Sequence, residues 1–330
     1  MPSIDLNFGL PEEKGESRIK PPVNGGQYDL IIIGGGPAGM TAAVYAARKH
    51  INTLMVTKDL GGQVLLTSDV ENYIGYSYIS GAELIRKFEE QLSRFELNQA
   101  LGEEVIHLVP DDEGFTVATR QETEYHARTV VIASGKRSRA LNVPGEKALV
   151  GRGVSYCATC DAPLFGGMDV AVVGGGNSAL EAVMDLLPIA TKVFVVNFAP
   201  SWQADPVLIE KMEKSDKVVR YLGYEVVEIQ GKDRVGGLVI RSRETGETEP
   251  LSVGGVFIEI GLIPNSEFAK EGVRLNRTGE VMVDCACRTS VPGIFGAGDV
   301  TTVPEKQIIV AAGEGAKAAL SAYTYLVRTR

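Results

Sequence analysis

Short unbroken apolar runs recur along the chain, each running into a glycine cluster or turn. Residues 28–33 (Tyr-Asp-Leu-Ile-Ile-Ile), 129–132 (Thr-Val-Val-Ile) and 169–173 (Asp-Val-Ala-Val-Val) have the length and β-branched content of strands buried on both faces. Residues 53–58 and 191–196 follow the first and third of these, after alanine-rich stretches at helical spacing (Ala42, Ala43, Ala46 and Ala47 in the first). Strand, glycine turn, helix and strand in that order predict parallel α/β units. Residues 82–97 place Leu84, Ile85, Phe88, Leu92 and Phe95 on one face and predict an amphipathic helix. Alternation over 103–132 predicts a small antiparallel element ending in the buried run. Residues 205–260 predict a helix and then several strands. Gln307 and Ile308 open a long helix through Ala311, Ala312, Ala316 and Ala319.

The two glycine clusters sit where a dinucleotide fold needs them. Gly34-Gly35-Gly36-Pro37-Ala38-Gly39 matches G-x-G-x-x-G, and Gly174-Gly175-Gly176-Asn177-Ser178-Ala179 matches G-x-G-x-x-A. The first glycine makes the tight turn, the second admits a pyrophosphate to the backbone, and the third position lets helix and strand pack closely. No Asp or Glu ends residues 53–58 to hold a ribose hydroxyl, so the adenosine end there must be held differently. After the second unit, residues 197–204 carry neither an acid nor an Arg or Lys. Charge-assisted hydrogen bonds contribute about 1.5–3 kcal/mol each, so lacking two should cost NADPH well over tenfold in relative affinity and favour NADH.

Between these units lies Tyr156-Cys157-Ala158-Thr159-Cys160-Asp161. Two thiols at this spacing can close and reopen a disulfide, and the following acid can exchange a proton with the leaving sulfur. Half a zinc site looks the same, but the chain has no second Cys-x-x-Cys and no histidine pair at finger spacing. Cys285 and Cys287 alternate along a predicted strand, with Cα atoms about 6.6 Å apart, and read as buried inert thiols. His50, His107 and His126 share no motif, and Trp202 is compatible with packing near a nucleotide or on a partner-facing surface.

Length and composition add bounds. A chain of 330 residues can build two domains, each with its own core. The net charge of −9 argues against nucleic acid as partner, which calls for a basic face. Residues 30–47 lack charge but contain the glycine turn, so no membrane span is expected; residues 1–27 are polar, lack the apolar stretch of a signal peptide, and read as a loosely attached tail. Four cysteines, two of them in one pair, fit a reducing, cytoplasmic setting.

Taken in order, Gly34-Gly-Gly-Pro-Ala-Gly39, Gly61-Gly-Gln63, Glu71-Asn72, Cys157-Ala-Thr-Cys-Asp161, Gly174-Gly-Gly-Asn-Ser178 and Gly298-Asp299 resemble low-molecular-weight thioredoxin reductase over nearly all of 28–330. Asn197-Phe-Ala-Pro200, residues 298–304 and Lys306-Gln-Ile-Ile309 are closer to the flavoprotein subunit of alkyl hydroperoxide reductase, whose thioredoxin-like N-terminal region residues 1–27 are not expected to supply. The resemblance implies an α/β protein of two Rossmann-like (three-layer β/β/α) nucleotide-binding domains, with an NAD(P)H domain (141–266) inserted into a discontinuous FAD domain (28–140 and 267–330). It implies FAD held by Gly34, Gly36, Pro37, Ala38, Gly39, Gly62, Gln63, Asn72, Ala133, Gly298, Asp299, Gln307 and Ile308. NAD(P)H would lie against Gly174, Gly176, Asn177, Ser178, Glu181 and Asn197, and no metal is implied. By the same resemblance Cys160 is the sulfur next to the flavin, Cys157 attacks the partner's disulfide, and Asp161 is the acid/base. A thioredoxin-like or glutaredoxin-like protein would be the electron acceptor, the enzyme would be a homodimer, and one domain would rotate about crossovers near 144–145 and 261–264. A peroxiredoxin-reducing component, a redox sensor and an atypical reductase with a different electron donor are the alternatives.

Overall fold

The computed structural model describes residues 18–67, 70–111 and 114–329. The N-terminal part contributes β1 (Ile19–Lys20), β2 (Gln27–Ile33), α1 (Pro37–Arg48), β3 (Thr53–Thr57), α2 (Gly81–Leu92), β4 (Leu97–Leu101), β5 (Val105–Pro110), β6 (Phe115–Thr119) and β7 (Glu124–Ile132). The middle holds β8 (Lys136–Ser138), β9 (Val154–Ser155), α3 (Ala158–Asp161), β10 (Asp169–Val173), α4 (Asn177–Leu186), β11 (Lys192–Asn197), α5 (Pro206–Glu213), β12 (Val218–Leu222), β13 (Tyr224–Gly231), β14 (Val235–Ser242), β15 (Thr248–Leu251), β16 (Gly255–Ile258) and β17 (Leu262–Pro264). The chain ends with β18 (Ile294–Gly296) and α6 (Ile308–Arg328).

Among the described residues one sheet runs β1-β4-β3-β2-β7-β6-β5, with β18 added beside β7. Its β1, β4, β3, β2, β7 and β18 pair in parallel, and β5-β6-β7 form an antiparallel ribbon. The pairing of β18 with β7 returns the C-terminal part of the chain to the N-terminal sheet. A core of Leu30, Ile32, Met40, Ala43, Met55 and Ala318 fills the helix side, where α1 and α6 cross so closely that a Cβ on Gly315 would lie 2.0 Å from the Ala38 carbonyl oxygen. A second core of Ile31, Leu54, Val117, Val130 and Val281 covers the opposite face. The middle of the chain forms its own parallel sheet, β12-β11-β10-β16-β9, with the antiparallel β13-β14-β15 layer on one side and α4 on the other. The three-layer β/β/α arrangement read from the sequence is the one observed.

Three local expectations are corrected, and one residue left open is located. Residues 18–27 do not trail away: β1 pairs with β4 (Ile19↔Leu97), and Gly25 N–H donates to the Glu124 carbonyl; residues 1–17 of the expected tail lie outside the described residues. The amphipathic helix stops at Leu92, because β3 offers residues 98–101 a parallel ladder that outweighs local helical periodicity. Cys285 and Cys287 are not on a strand. Asp284 Oδ1 accepts the N–H groups of Ala286 and Arg288, both at 2.9 Å, folding a turn with Cys287 at φ +62°; Cys287 is buried and Cys285 exposed. Trp202 is partly buried and packs on the second unit's helix-side core with Met212 and Leu208.

Candidate functional site: a cleft shared by a glycine loop and a disulfide

The first glycine loop separates two duties. Gly34 sits at φ +117°, and a Cβ there would lie 2.3 Å from the Ala133 carbonyl oxygen; one on Gly39 would lie 1.9 Å from that of Gly34. Both positions are glycine because neighbouring strands leave no room. Gly36 differs: it is extended, caps α1 without a side-chain bond, and no atom lies within 4 Å of where its Cβ would be. Open space before uncapped N–H groups, with Pro37 following, suits a pyrophosphate. The second loop repeats the pattern. Gly174 is wedged against the Glu259 carbonyl oxygen (2.3 Å from its would-be Cβ), while Gly176 faces open space.

A cleft of about 1650 Å³ runs from the first loop to the cysteines. Of the residues expected to hold FAD, Gly34, Gly36, Pro37, Ala38, Gly62, Gln63, Asn72, Ala133, Gly298, Asp299, Gln307 and Ile308 line it, and Gly39 supports it from behind. Asn72 Nδ2 donates to Gln307 Oε1 at 3.1 Å, joining two of them across 235 positions of sequence. Gln307 is the N-cap of α6, so this pair stands at a helix N-terminus, as read from the sequence. Gly298 N–H donates to the buried Glu314 Oε2 at 2.8 Å, which fixes the turn carrying Asp299. Burial pushes the Asp299 carboxyl up, while Lys306 and Lys136 pull it back. Toward the β3 end the cleft is lined by Lys58, Arg120 and Glu104, with Arg120 Nε 3.0 Å from Glu104 Oε2. These groups offer polar contacts where the motif's ribose acid is missing. They come from three separate segments, so no local pattern announces them.

Cys157 and Cys160 form a disulfide on the wall of the same cleft, their Cα atoms 5.3 Å apart. Cys157 is the N-cap of α3, and Asp161 ends that turn. Ser155, buried at the end of β9, organises the motif. Its Oγ donates to Asp161 Oδ2 at 2.7 Å and accepts the Cys157 N–H at 3.0 Å. Sequence reading missed Ser155, although it lies two residues before the motif. Tyr156 donates to Glu146 Oε1 at 2.8 Å, and Glu146 also accepts the N–H groups of Leu141 and Asn142, tying the motif to the incoming crossover.

Of the residues expected at the nicotinamide nucleotide, Ser178 and Glu181 reach the cleft, whereas Gly174, Gly176, Asn177 and Asn197 are not on it. Asn177 Nδ2 donates to Asp205 Oδ2 at 3.0 Å, and Asp205 N–H donates back to Asn177 Oδ1 at 2.8 Å. Asn197 is buried, and its amide is committed to the loop after β11: Nδ2 donates to the Ser201 carbonyl at 2.8 Å, and Oδ1 accepts the Ala199 N–H at 3.3 Å. Arg243, distant in sequence, stacks its guanidinium 3.7 Å over the Phe198 ring beside this loop. It is a cation that reading residues 197–204 alone could not find.

Two dinucleotide folds meeting at one cleft, with a disulfide on its wall, define a class of oxidoreductase that moves electrons between a nicotinamide nucleotide and a pair of sulfurs. The chain belongs to the pyridine nucleotide-disulphide oxidoreductase family, whose model matches residues 28–315. It is 42% identical over 307 residues to the F subunit of alkyl hydroperoxide reductase of Escherichia coli K12, covering 92% of this chain and 59% of that protein. It is also 42% identical over 301 residues to a Bacillus subtilis protein named NADH dehydrogenase, covering 91% of this chain and 59% of that one. The chain thus spans about three-fifths of the length of the curated relatives it matches. The structure of thioredoxin reductase from Streptococcus pyogenes superposes with a TM-score of 0.87 at 40% identity, covering 93% of this chain and 100% of that one. Thioredoxin reductase from Giardia duodenalis gives 0.85 at 31% identity, with 91% and 99% covered.

Proposed function

We propose that the chain reduces protein disulfides with electrons from NADH, by way of FAD and the Cys157–Cys160 pair. The observation that carries this reading is the position of that disulfide on the wall of the cleft built around Gly34, Gly36, Asp299 and Gln307. The cleft fits FAD: its volume suits a dinucleotide, and the empty space at Gly36 lies before an uncapped helix. When bound there, FAD supplies the exchange of a hydride for an electron pair. The turn that the packing of Gly34 and Gly39 makes possible presents Gly36 and Ala38 to its pyrophosphate, while Gln63, Asn72, Asp299 and Gln307 orient the rest. Gly174, Gly176, Asn177, Ser178 and Glu181 hold the nicotinamide nucleotide.

In the reduced protein the Cys157 thiolate attacks the partner's disulfide and displaces one partner sulfur, which takes up a proton. The Cys160 thiolate then attacks Cys157, releases the second partner thiol and restores the internal disulfide. Asp161, held by Ser155, moves the proton. NADH is favoured as donor because residues 197–204 hold no cation, the Arg243 guanidinium beside them is engaged by the Phe198 ring and carbonyl, and the Asn197 amide is committed to the loop; the likeness to a protein named NADH dehydrogenase supports this. Units at 28–140 with 267–330 and at 141–266, a homodimer and a cytoplasmic setting complete the reading.

The likeness to the F subunit of alkyl hydroperoxide reductase favours a second reading, in which the acceptor is a shuttle protein serving a peroxiredoxin. One steady-state experiment separates the readings. The purified flavoprotein is assayed with NADH and with NADPH against thioredoxin, glutaredoxin, and a shuttle domain plus peroxiredoxin. Turnover of thioredoxin or glutaredoxin supports the first reading, and turnover only with shuttle plus peroxiredoxin the second. Flavin bleaching by NADH without turnover of any disulfide protein leaves a redox sensor and sinks both.

A further inference from the structure

The cleft contains a partly buried acid that neither the Cys-x-x-Cys-Asp motif nor the glycine loops include. Glu259 follows β16 at the C-terminal edge of the second sheet. Its main chain is held against the second glycine loop, with its N–H donating to the Val173 carbonyl at 2.8 Å and its own carbonyl oxygen beside Gly174. Its side chain turns the other way. Oε1 accepts the N–H of Ala158, the residue after Cys157, at 3.3 Å, and Glu259 lines the cleft together with Cys157 and Cys160. The glutamate therefore spans from the nucleotide loop to the dithiol.

We propose that Glu259 sets the acidity of the Cys157 thiol in the reduced protein, through a carboxylate placed beside the motif. The inference rests on the redox role given above to Cys157. The titratable groups facing Glu259 come from α4, Glu181 and Asp185, both on the cleft; Asp185 Oδ2 also accepts the Thr159 hydroxyl at 3.2 Å. Asp161, on α3, is bonded to Ser155. Among the described residues no lysine or arginine acts on the Glu259 carboxyl. Burial, then Asp185 and Glu181, push it up to about 7, against the Ala158 N–H that favours its ionised form.

Its charge therefore changes within the working range of a thiol. A negative neighbour disfavours a thiolate, so Cys157 is harder to ionise once Glu259 has lost its proton. If the two groups are coupled by about one pH unit or more, their protons come off in two macroscopic steps. Replacing the carboxyl by an amide keeps the shape and an oxygen for the Ala158 N–H, and removes the charge.

The experiment follows alkylation of the phosphine-reduced holoprotein by iodoacetamide from pH 5 to 10. Peptide mass spectrometry resolves Cys157 from Cys160 and Cys285. Glu259→Gln should move the Cys157 profile down by about one pH unit, a roughly tenfold faster reaction at pH 7.5. It should also collapse two ionisation steps into one, whereas Glu259→Asp, which keeps a charge, should follow the parent. Superimposable parent and Glu259→Gln profiles, or equal shifts in both variants, overturn the proposal. If Glu259→Gln does not fold, the parent decides: one ionisation step instead of two overturns it. No nucleotide donor or protein acceptor enters the assay, so a failure of the proposed turnover leaves it readable.

Discussion

At Glu259 burial works against charge, and the consequence reaches stability. The folded carboxyl sits near 7 against 4.5 when free, so the folded state binds the extra proton in between. Its stabilisation is complete below about pH 4.5 and is lost as pH rises through 7. At about 1.4 kcal/mol per pH unit the loss is on the order of 3 kcal/mol. Urea unfolding at pH 5 and pH 8 should show the parent losing stability between them, and Glu259→Gln should lose markedly less. Ser155 gives a second prediction at this scale. Ser155→Ala deletes the Oγ that joins Asp161 to the Cys157 N–H, so disulfide-reductase turnover should fall about tenfold or more while donor-driven flavin bleaching persists. Ser155→Thr should restore part of it. Equal loss of bleaching and turnover in stopped-flow traces would show that Ser155 only stabilises the unit.

Helix and loop elements divide the glycines into those required by packing and those required by a ligand. Gly34 and Gly174 press on carbonyl oxygens of β-strand ends, so alanine at either must distort its own loop. Gly36 and Gly176 face open space. Gly36→Ala should therefore melt with the FAD-free parent and lose FAD, seen as colourless protein after FAD has been offered. Gly176→Ala should keep its flavin and raise the KM for NADH at least tenfold. A Gly36→Ala protein that binds FAD like the parent would remove the first loop from the cofactor site. Both loops were legible in the sequence because strand, turn and helix are local. The ends of α2 and the turn at Cys285 and Cys287 were not, since parallel pairing to β3 and the Asp284 bonds outweigh local spacing.

For the molecule as a whole, the two glycine loops do not share a wall: the cleft takes in Gly34 and Gly36 but not Gly174 or Gly176. The disulfide lines the cleft with the first loop, so on the proposed function a nicotinamide held at the second loop would reach it by a turn of the middle unit. The expected crossovers lie near 144–145 and 261–264; the second contains β17, which pairs antiparallel with β8, Ile263 opposite Arg137, and Asn265 Nδ2 donates to the Ser134 carbonyl beside them. Gly151 of the middle unit comes within 3.5 Å of the Leu66 carbonyl oxygen across the cleft, measured from its would-be Cβ. In a Cys285→Ser background, cysteines at 66 and 151 joined by a short cleavable linker should slow NADH-driven turnover at least tenfold, with full recovery on cleavage. Unchanged turnover in the linked protein would end the rotation model.

The sequence by itself determined the two strand–glycine-turn–helix units and the cysteine pair, because each rests on short-range rules: apolar runs, glycine spacing and two cysteines one turn apart; the rest of the cleft lining was implied by the family resemblance. Tertiary structure alone decided that Asn72 meets Gln307, that Ser155 holds Asp161, that Arg243 stacks on Phe198, and that Glu259 accepts the Ala158 N–H within the Cys-x-x-Cys motif. Those contacts join groups on different strands and loops. Their energies depend on burial and direction, which a linear pattern does not encode.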